Sequence, residues 1–139
     1  MATFTKFQGF VEHLADGAHN LSSNTLKVAL SNSDPTASLS TANTVIASVS
    51  EISYANCSDR TCSQTSHAQT GGTFKLVITD LVLTASGSVG PFRYVVLYDD
   101  TSTGDMLIGY MDYGSSITLA SGDTFTINFD DSNGVLTIA

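Results

Sequence analysis

Positive charge is scarce in this chain: five Lys and Arg stand against thirteen Asp and Glu, for a formal net charge of −8 and a pI near 4.3. The five cations, Lys6, Lys27, Arg60, Lys75 and Arg93, are scattered singly. The counterion release that drives phosphate-backbone binding therefore has no source, and nucleic acid is excluded as an expected partner. Long apolar runs are also missing. No segment approaches the roughly 20 residues a membrane-spanning helix needs, so no membrane partner is expected. The opening "MATFTKFQGFVEHLADGAHN" lacks the charged start and unbroken apolar core of an export signal, which predicts synthesis in a cytoplasm. Tryptophan is absent, which removes the commonest exposed platform for sugars. Catalytic spacing is missing too. His13, His19 and His67 have no nucleophile at a motif spacing such as G-x-S-x-G, and paired carboxylates occur only in turns, where they are expected anyway. The chain reads as non-enzymatic and free of cofactors.

What remains is a chain of 139 residues, 42% hydrophobic and only 13% charged, with Ser, Thr, Asn and Gly filling much of the rest. This is the balance of a β protein with an exposed surface. No repeat or linker divides it, so residues 1–139 are expected to form one domain. A chain of this size buries roughly 68–70% of the surface its unfolded form exposes.

Near the start, Phe4, Phe7, Phe10, Val11 and Leu14 recur at three- and four-residue steps. With Thr5 and Gln8 at capping-box spacing, this predicts an amphipathic helix over about 4–16, ended at Gly17, with Phe7, Val11 and Leu14 packed on the core. "TLKVALS" alternates as a strand and stops at Asp34-Pro35. Residues 36–48 read as a loop leading to a short strand near "VSEISYA", and residues 56–72, polar throughout, as a long exposed loop. "TFKLVITD" and "LVLTA" favour strands. "FRYVVLY" and "MLIGYMDY", joined by "DDTSTGD", form a predicted antiparallel hairpin. With Tyr98 opposite Met106, one face carries Phe92, Tyr94, Val96, Tyr98, Ile108 and Tyr110, and the other Val95, Leu97, Leu107 and Met111. A hairpin apolar on both faces needs cover on both sides: a second sheet on one, the helix or a neighbouring subunit on the other. Phe125, Ile127 and Phe129 alternate in a further strand, and Asn133-Gly134 signals a hairpin turn. The fold class is thus mainly β: an antiparallel sandwich or flattened barrel with one N-terminal helix.

Three groups of residues are candidates for special roles. Arg93 lies opposite Met111 in the register above, and a single bulge brings it opposite Asp112, so a structural pair holding the hairpin is expected. Asp99, Asp100 and Asp105 cluster in one loop, but their spacing does not match a calcium loop, and a solvated hairpin tip is the simpler reading. Cys57, Cys62 and His67 form C-x4-C-x4-H, too few ligands for a closed zinc site, so no metal is assigned. A local Cys57–Cys62 disulfide, formed after release from the cytoplasm, is the expectation, with two free thiols as the alternative.

The segments "FVEHLADGAHNLSSNTLKVALSNSDP", "GPFRYVVLYDDTS", "LIGYMDYGSSITLASGDTFTINFD" and "NGVLTIA" together resemble a family of small structural proteins of tailed bacteriophages. The resemblance covers most of the chain outside residues 56–72 and implies a protein that coats or joins parts of a virion. A capsid decoration or cement protein is the expected function, its partners the major capsid protein or other virion proteins, in a homo-oligomer with a trimer favoured. A tail or head-to-tail joining component, or a receptor- or glycan-binding module, is the alternative. The resemblance carries over no functional residues.

Overall fold

A computed structural model describes residues 2–36 and 45–139. All its strands but the polar β3 follow Val-, Ile-, Leu-, Thr- or aromatic-containing runs: β1 Phe4–Lys6, β2 Leu26–Ser31, β3 Gln64–Thr70, β4 Thr73–Ile78, β5 Leu81–Thr84, β6 Val89–Asp99, β7 Met106–Leu119, β8 Thr124–Ile127 and β9 Leu136–Ile138, with one helix, α1, at Gln8–Ala15. A four-stranded antiparallel sheet runs in the order β1-β7-β6-β2, and the remaining strands form a β3-β4-β9 sheet and a β5-β8 pair. The main core gathers Leu26, Val28 and Leu30 of β2, Val95 and Leu97 of β6, and Ile108 and Met111 of β7 with Leu76, Ile78, Leu83, Ile127 and Leu136 of the smaller sheets. The chain is therefore mainly β, antiparallel and sandwich-like, with one N-terminal helix.

The central hairpin departs from the simple register by one residue. Asp99, not Tyr98, lies opposite Met106, Tyr98 faces Leu107, and the next pair is Leu97 with Gly109. Ile108 is thus an extra, unpaired residue, a β-bulge whose carbonyl accepts the Phe7 N–H at 3.0 Å. A one-residue slip exchanges the faces of a strand, so Leu107 joins Val96 and Tyr98 on the outer face while Ile108 turns into the main core. A second shift, between Phe92 and Tyr94, sends Phe92 inward too.

The N-terminal segment corrects the expected helix over 4–16. Phe4–Lys6 instead pairs with β7, Thr5 opposite Tyr110 and Lys6 opposite Gly109. Gly109 has to be glycine, because a Cβ there would sit 2.3 Å from the Phe4 ring and 2.6 Å from the Thr5 carbonyl. The helix begins only at Gln8, and Phe10 becomes its inward residue, fully buried in the main core with Leu14 packed beside it. Val11, expected in the core, is 58% exposed, because it follows Phe10 by about 100° around the helix. Phe7 is buried, but at the outer face, where its ring lies 5.2 Å from that of Tyr110. The outer cover is accordingly Phe7 with Ile46 and Val49, from a 3-10 turn at Ile46–Ser48 and its edge, rather than the helix. Of the loop expected over 36–48, residues 37–44 lie outside the described residues.

The segment 56–72 is largely exposed, as expected, but it does not form a loop. Its first part belongs to a strap along the open edge of β2: Ile52 N–H donates to Leu30 O at 3.0 Å, Val28 N–H to Arg60 O at 3.1 Å, and Cys62 N–H to Leu26 O at 2.8 Å. Its second part is β3, joined to β4 by Gly71-Gly72, whose φ values of 58° and 86° define a mirror-image two-residue hairpin turn. The Asn133-Gly134 turn closes no hairpin, since β8 pairs with β5 and β9 with β4.

Candidate functional site: the Arg93–Asp112 fork and its groove

The bulged hairpin brings together the pair expected from sequence. Arg93 donates from Nε to Asp112 Oδ1 at 2.7 Å and from Nη2 to Oδ2 at 2.9 Å, a two-pronged contact, and Gly114 N–H adds a third donor at 2.8 Å. The Arg93 bonds, then the Gly114 amide, hold the Asp112 carboxyl below its ordinary range, and the same Asp112 contact raises Arg93. The guanidinium carbon lies 5.2 Å from the Tyr94 ring centre. Beside the fork lies a groove of about 290 Å³ lined by Thr3, Thr5, Asp34, Thr36, Tyr94, Tyr110 and Asp112. Asp34 is fixed by the Thr36 amide at 2.8 Å and hydroxyl at 2.6 Å. Such a wall of hydroxyls, phenols and carboxylates, its cation already paired, suits an uncharged polyhydroxyl ligand better than an anion. Tyr94 is only 7% exposed, so it offers little face for stacking.

A second constellation fastens the strap. The Arg60 guanidinium carbon sits 3.6 Å from the centre of the Tyr54 ring, and Nη1 donates to Val28 O at 2.6 Å. Tyr54 donates to Glu51 at 2.7 Å and accepts the Leu30 N–H at 2.9 Å. Burial, first of all, drives the Tyr54 phenol upward. The cysteines within this strap are free thiols, which corrects the expected disulfide. Cys62 is buried in the main core, while Cys57 is half-buried and faces Ala85 in an isolated bridge. The polar sequence around them concealed that burial. Burial pushes the Cys62 thiol up to about 12 and raises Cys57 as well. With their pKa values raised by burial, both thiols are protonated at neutral pH and poor nucleophiles for disulfide exchange. His67 is exposed on β3, and among the described residues no group of three or more His, Cys, Asp or Glu is placed to hold a metal ion.

A third constellation was not found from the sequence. Asp99 is fully buried, and its Oδ2 accepts His19 Nδ1–H at 2.9 Å and Asn24 Nδ2–H at 2.7 Å. Its Oδ1 takes the amides of Thr101 and Ser102 at 3.0 and 3.2 Å. Four donors account for the buried carboxylate. This pulls Asp99 away from the other two acids of its loop: Asp100 pairs with Lys27 at 3.2 Å, and Asp105 adopts a φ of 52°. The partners lie 75 and 80 residues away along the chain, so no local spacing signals them. Compared with known proteins, the chain matches no protein family, no curated protein and no solved structure.

Proposed function

We propose that the chain is a non-enzymatic structural protein of a bacteriophage virion, a capsid decoration or cement protein that binds the major capsid lattice as a symmetric oligomer. The observation that carries this reading is how the scarce cations are used. Four of the five are tied within the fold: Lys27 to Asp100, Lys75 to Ser132 O, Arg60 to Val28 O and Arg93 to Asp112. Polar chemistry of this kind braces a scaffold, and the sequence resemblance to small virion proteins supports the same reading. Quantitative mass spectrometry of purified particles tests it. A copy number approaching that of the major capsid protein is expected, whereas a few copies per particle would point to a tail or joining component, and absence from particles would overturn the reading.

The groove beside the fork favours a second reading, a glycan-binding module. Binding of neutral glycans on an array, lost in Asp34→Ala, would support that module over a purely structural role.

A further inference from the structure

We infer that the free edge of β3 pairs with β3 of a second copy of this chain, antiparallel about a twofold axis at Ala68. The inference goes beyond the virion reading and stands without it. Most other sheet edges are short or covered. β1 has three residues and runs into the helix, β9 has three, β8 has four, β5 is contacted by Cys57 and Ser58, and β2 lies under the strap. β3 is seven residues long and, among the described residues, no backbone hydrogen bond reaches its outer side beyond Gln64. Natural edges of that length are blunted by charge, proline or a bulge. Here the only irregularity is at the root, between Gln64 and Ser66, and residues 63–74 contain no Asp, Glu, Lys, Arg or Pro. His67 through Thr73 are all exposed, so the arm projects from the body with both faces in solvent.

The register fixes which groups are on offer. Thr70 and Thr73 close the two-residue turn as a hydrogen-bonded pair, so Ala68 with Lys75 is the next such pair, and His67 and Gln69 direct their N–H and C=O groups outward. In a twofold antiparallel pairing centred on Ala68, each His67 faces the other copy's Gln69, and the outward groups make four hydrogen bonds. Ala68 then meets its own copy in the close, non-bonded position, where strands approach to about 4.5 Å and a small side chain fits. Charge points to a second copy as the occupant. Two bodies at −8 repel, and an arm of twelve residues without formal charge is where they approach at least cost. Each copy has one β3 edge, so the pairing closes on itself and forms no filament. This symmetry is twofold, where the sequence expectation favoured a trimer.

A strand-only contact is smaller than a standard interface of about 1,200–2,000 Å², so dissociation in the range of tens to hundreds of micromolar is expected. Sedimentation equilibrium of the whole chain from about 10 μM to 1 mM reads it, with the mean mass rising toward two copies and the His67 and Gln69 amides gaining hydrogen-exchange protection. Gln69→Pro removes an outward N–H and leaves the backbone bonds to β4, although it gives up the Gly72 N–H bond to Gln69 Oε1 at 3.0 Å, and Ala68→Lys places two ammonium groups face to face at the axis. Both are expected to stay monomeric, Ala68→Lys with the melting temperature of the parent and Gln69→Pro slightly below it. Mixing Ala68→Lys with Ala68→Glu restores pairing. A parent chain that is monomeric throughout the range overturns the inference, as does association that both variants leave unchanged. Binding of the monomer to capsids through β3 would also overturn it, naming a capsid strand as the occupant.

Discussion

Strands β2 and β3 both stand at the edge of a sheet, yet one is strapped down and the other is open. The difference lies in what their side chains do. Leu26, Val28, Ala29, Leu30 and Ser31 of β2 are all fully buried, so the backbone groups along that edge have no access to water and need partners from the protein. The strap supplies them through Ile52, Arg60 and Cys62, and the Arg60–Tyr54–Glu51 contacts hold the strap in place. From His67 onward, β3 is exposed on both faces, and water serves the same groups. Whether an edge needs closing is thus decided by side-chain burial.

The comparison can be tested in order of expected effect. Leu30→Ala is expected to cost about 2–5 kcal/mol, read by urea unfolding, because Leu30 is fully buried in the main core beneath the strap. Arg60→Ala should cost less, about 1–3 kcal/mol, and should speed hydrogen exchange at Val28 and Cys62, the amides that the strap brings into play; unchanged exchange would mean that the backbone bonds alone hold it. In the Arg93–Asp112 fork, Asp112→Asn should lower stability at neutral pH only. The Asp112 carboxyl is held below its ordinary value when folded, so its contribution is present above the unfolded value of about 4 and is lost as pH falls below it. The parent and Asp112→Asn are therefore expected to differ most at neutral pH in thermal melts and to draw together as pH falls from the unfolded value toward the depressed folded one. On the open edge, Thr70→Ala should change stability by no more than about 0.5 kcal/mol. A larger loss would mean that β3 is already covered in the isolated chain.

The same contrast explains what could be read in advance. Alternation marks β2 and β8, Val, Ile, Leu and Thr content marks β4 and β5, and apolar runs on both faces separated by turn formers mark β6 and β7. The Arg93–Asp112 contact is legible as a pair but not as a register: Asp112 stands opposite Tyr94, and Arg93 reaches it from the neighbouring position beside a register shift. The bulge at Ile108 left no trace, since Leu107 and Ile108 are both apolar and either serves on either face. Phe4, Phe7 and Phe10 step by three, which imitates a helix, although Phe4 lies in a strand over Gly109 and Phe7 on the outer face. β3 and the strap escaped notice for opposite reasons. Exposed on both faces beyond its root, β3 has little apolar period, and the strap works through backbone groups and polar tips that hydropathy does not register. The His19–Asp99 pair joins distant parts of the chain, which only the folded arrangement brings together.

The tethering of four of the five cations also governs how this molecule responds to ionic strength. Lys6 is exposed, but the other positive groups already hold partners within their own fold. Copies therefore have few cations to offer one another's carboxylates, and at a net charge of −8 their long-range interaction at neutral pH is repulsive. Added salt shortens the reach of that repulsion, to about 10 Å at 0.1 M and about 3 Å at 1 M, while leaving uncharged contacts in place. Association between copies should then tighten as salt is raised, opposite to an assembly joined by ion pairs, and self-repulsion should fade as pH approaches the pI near 4.3.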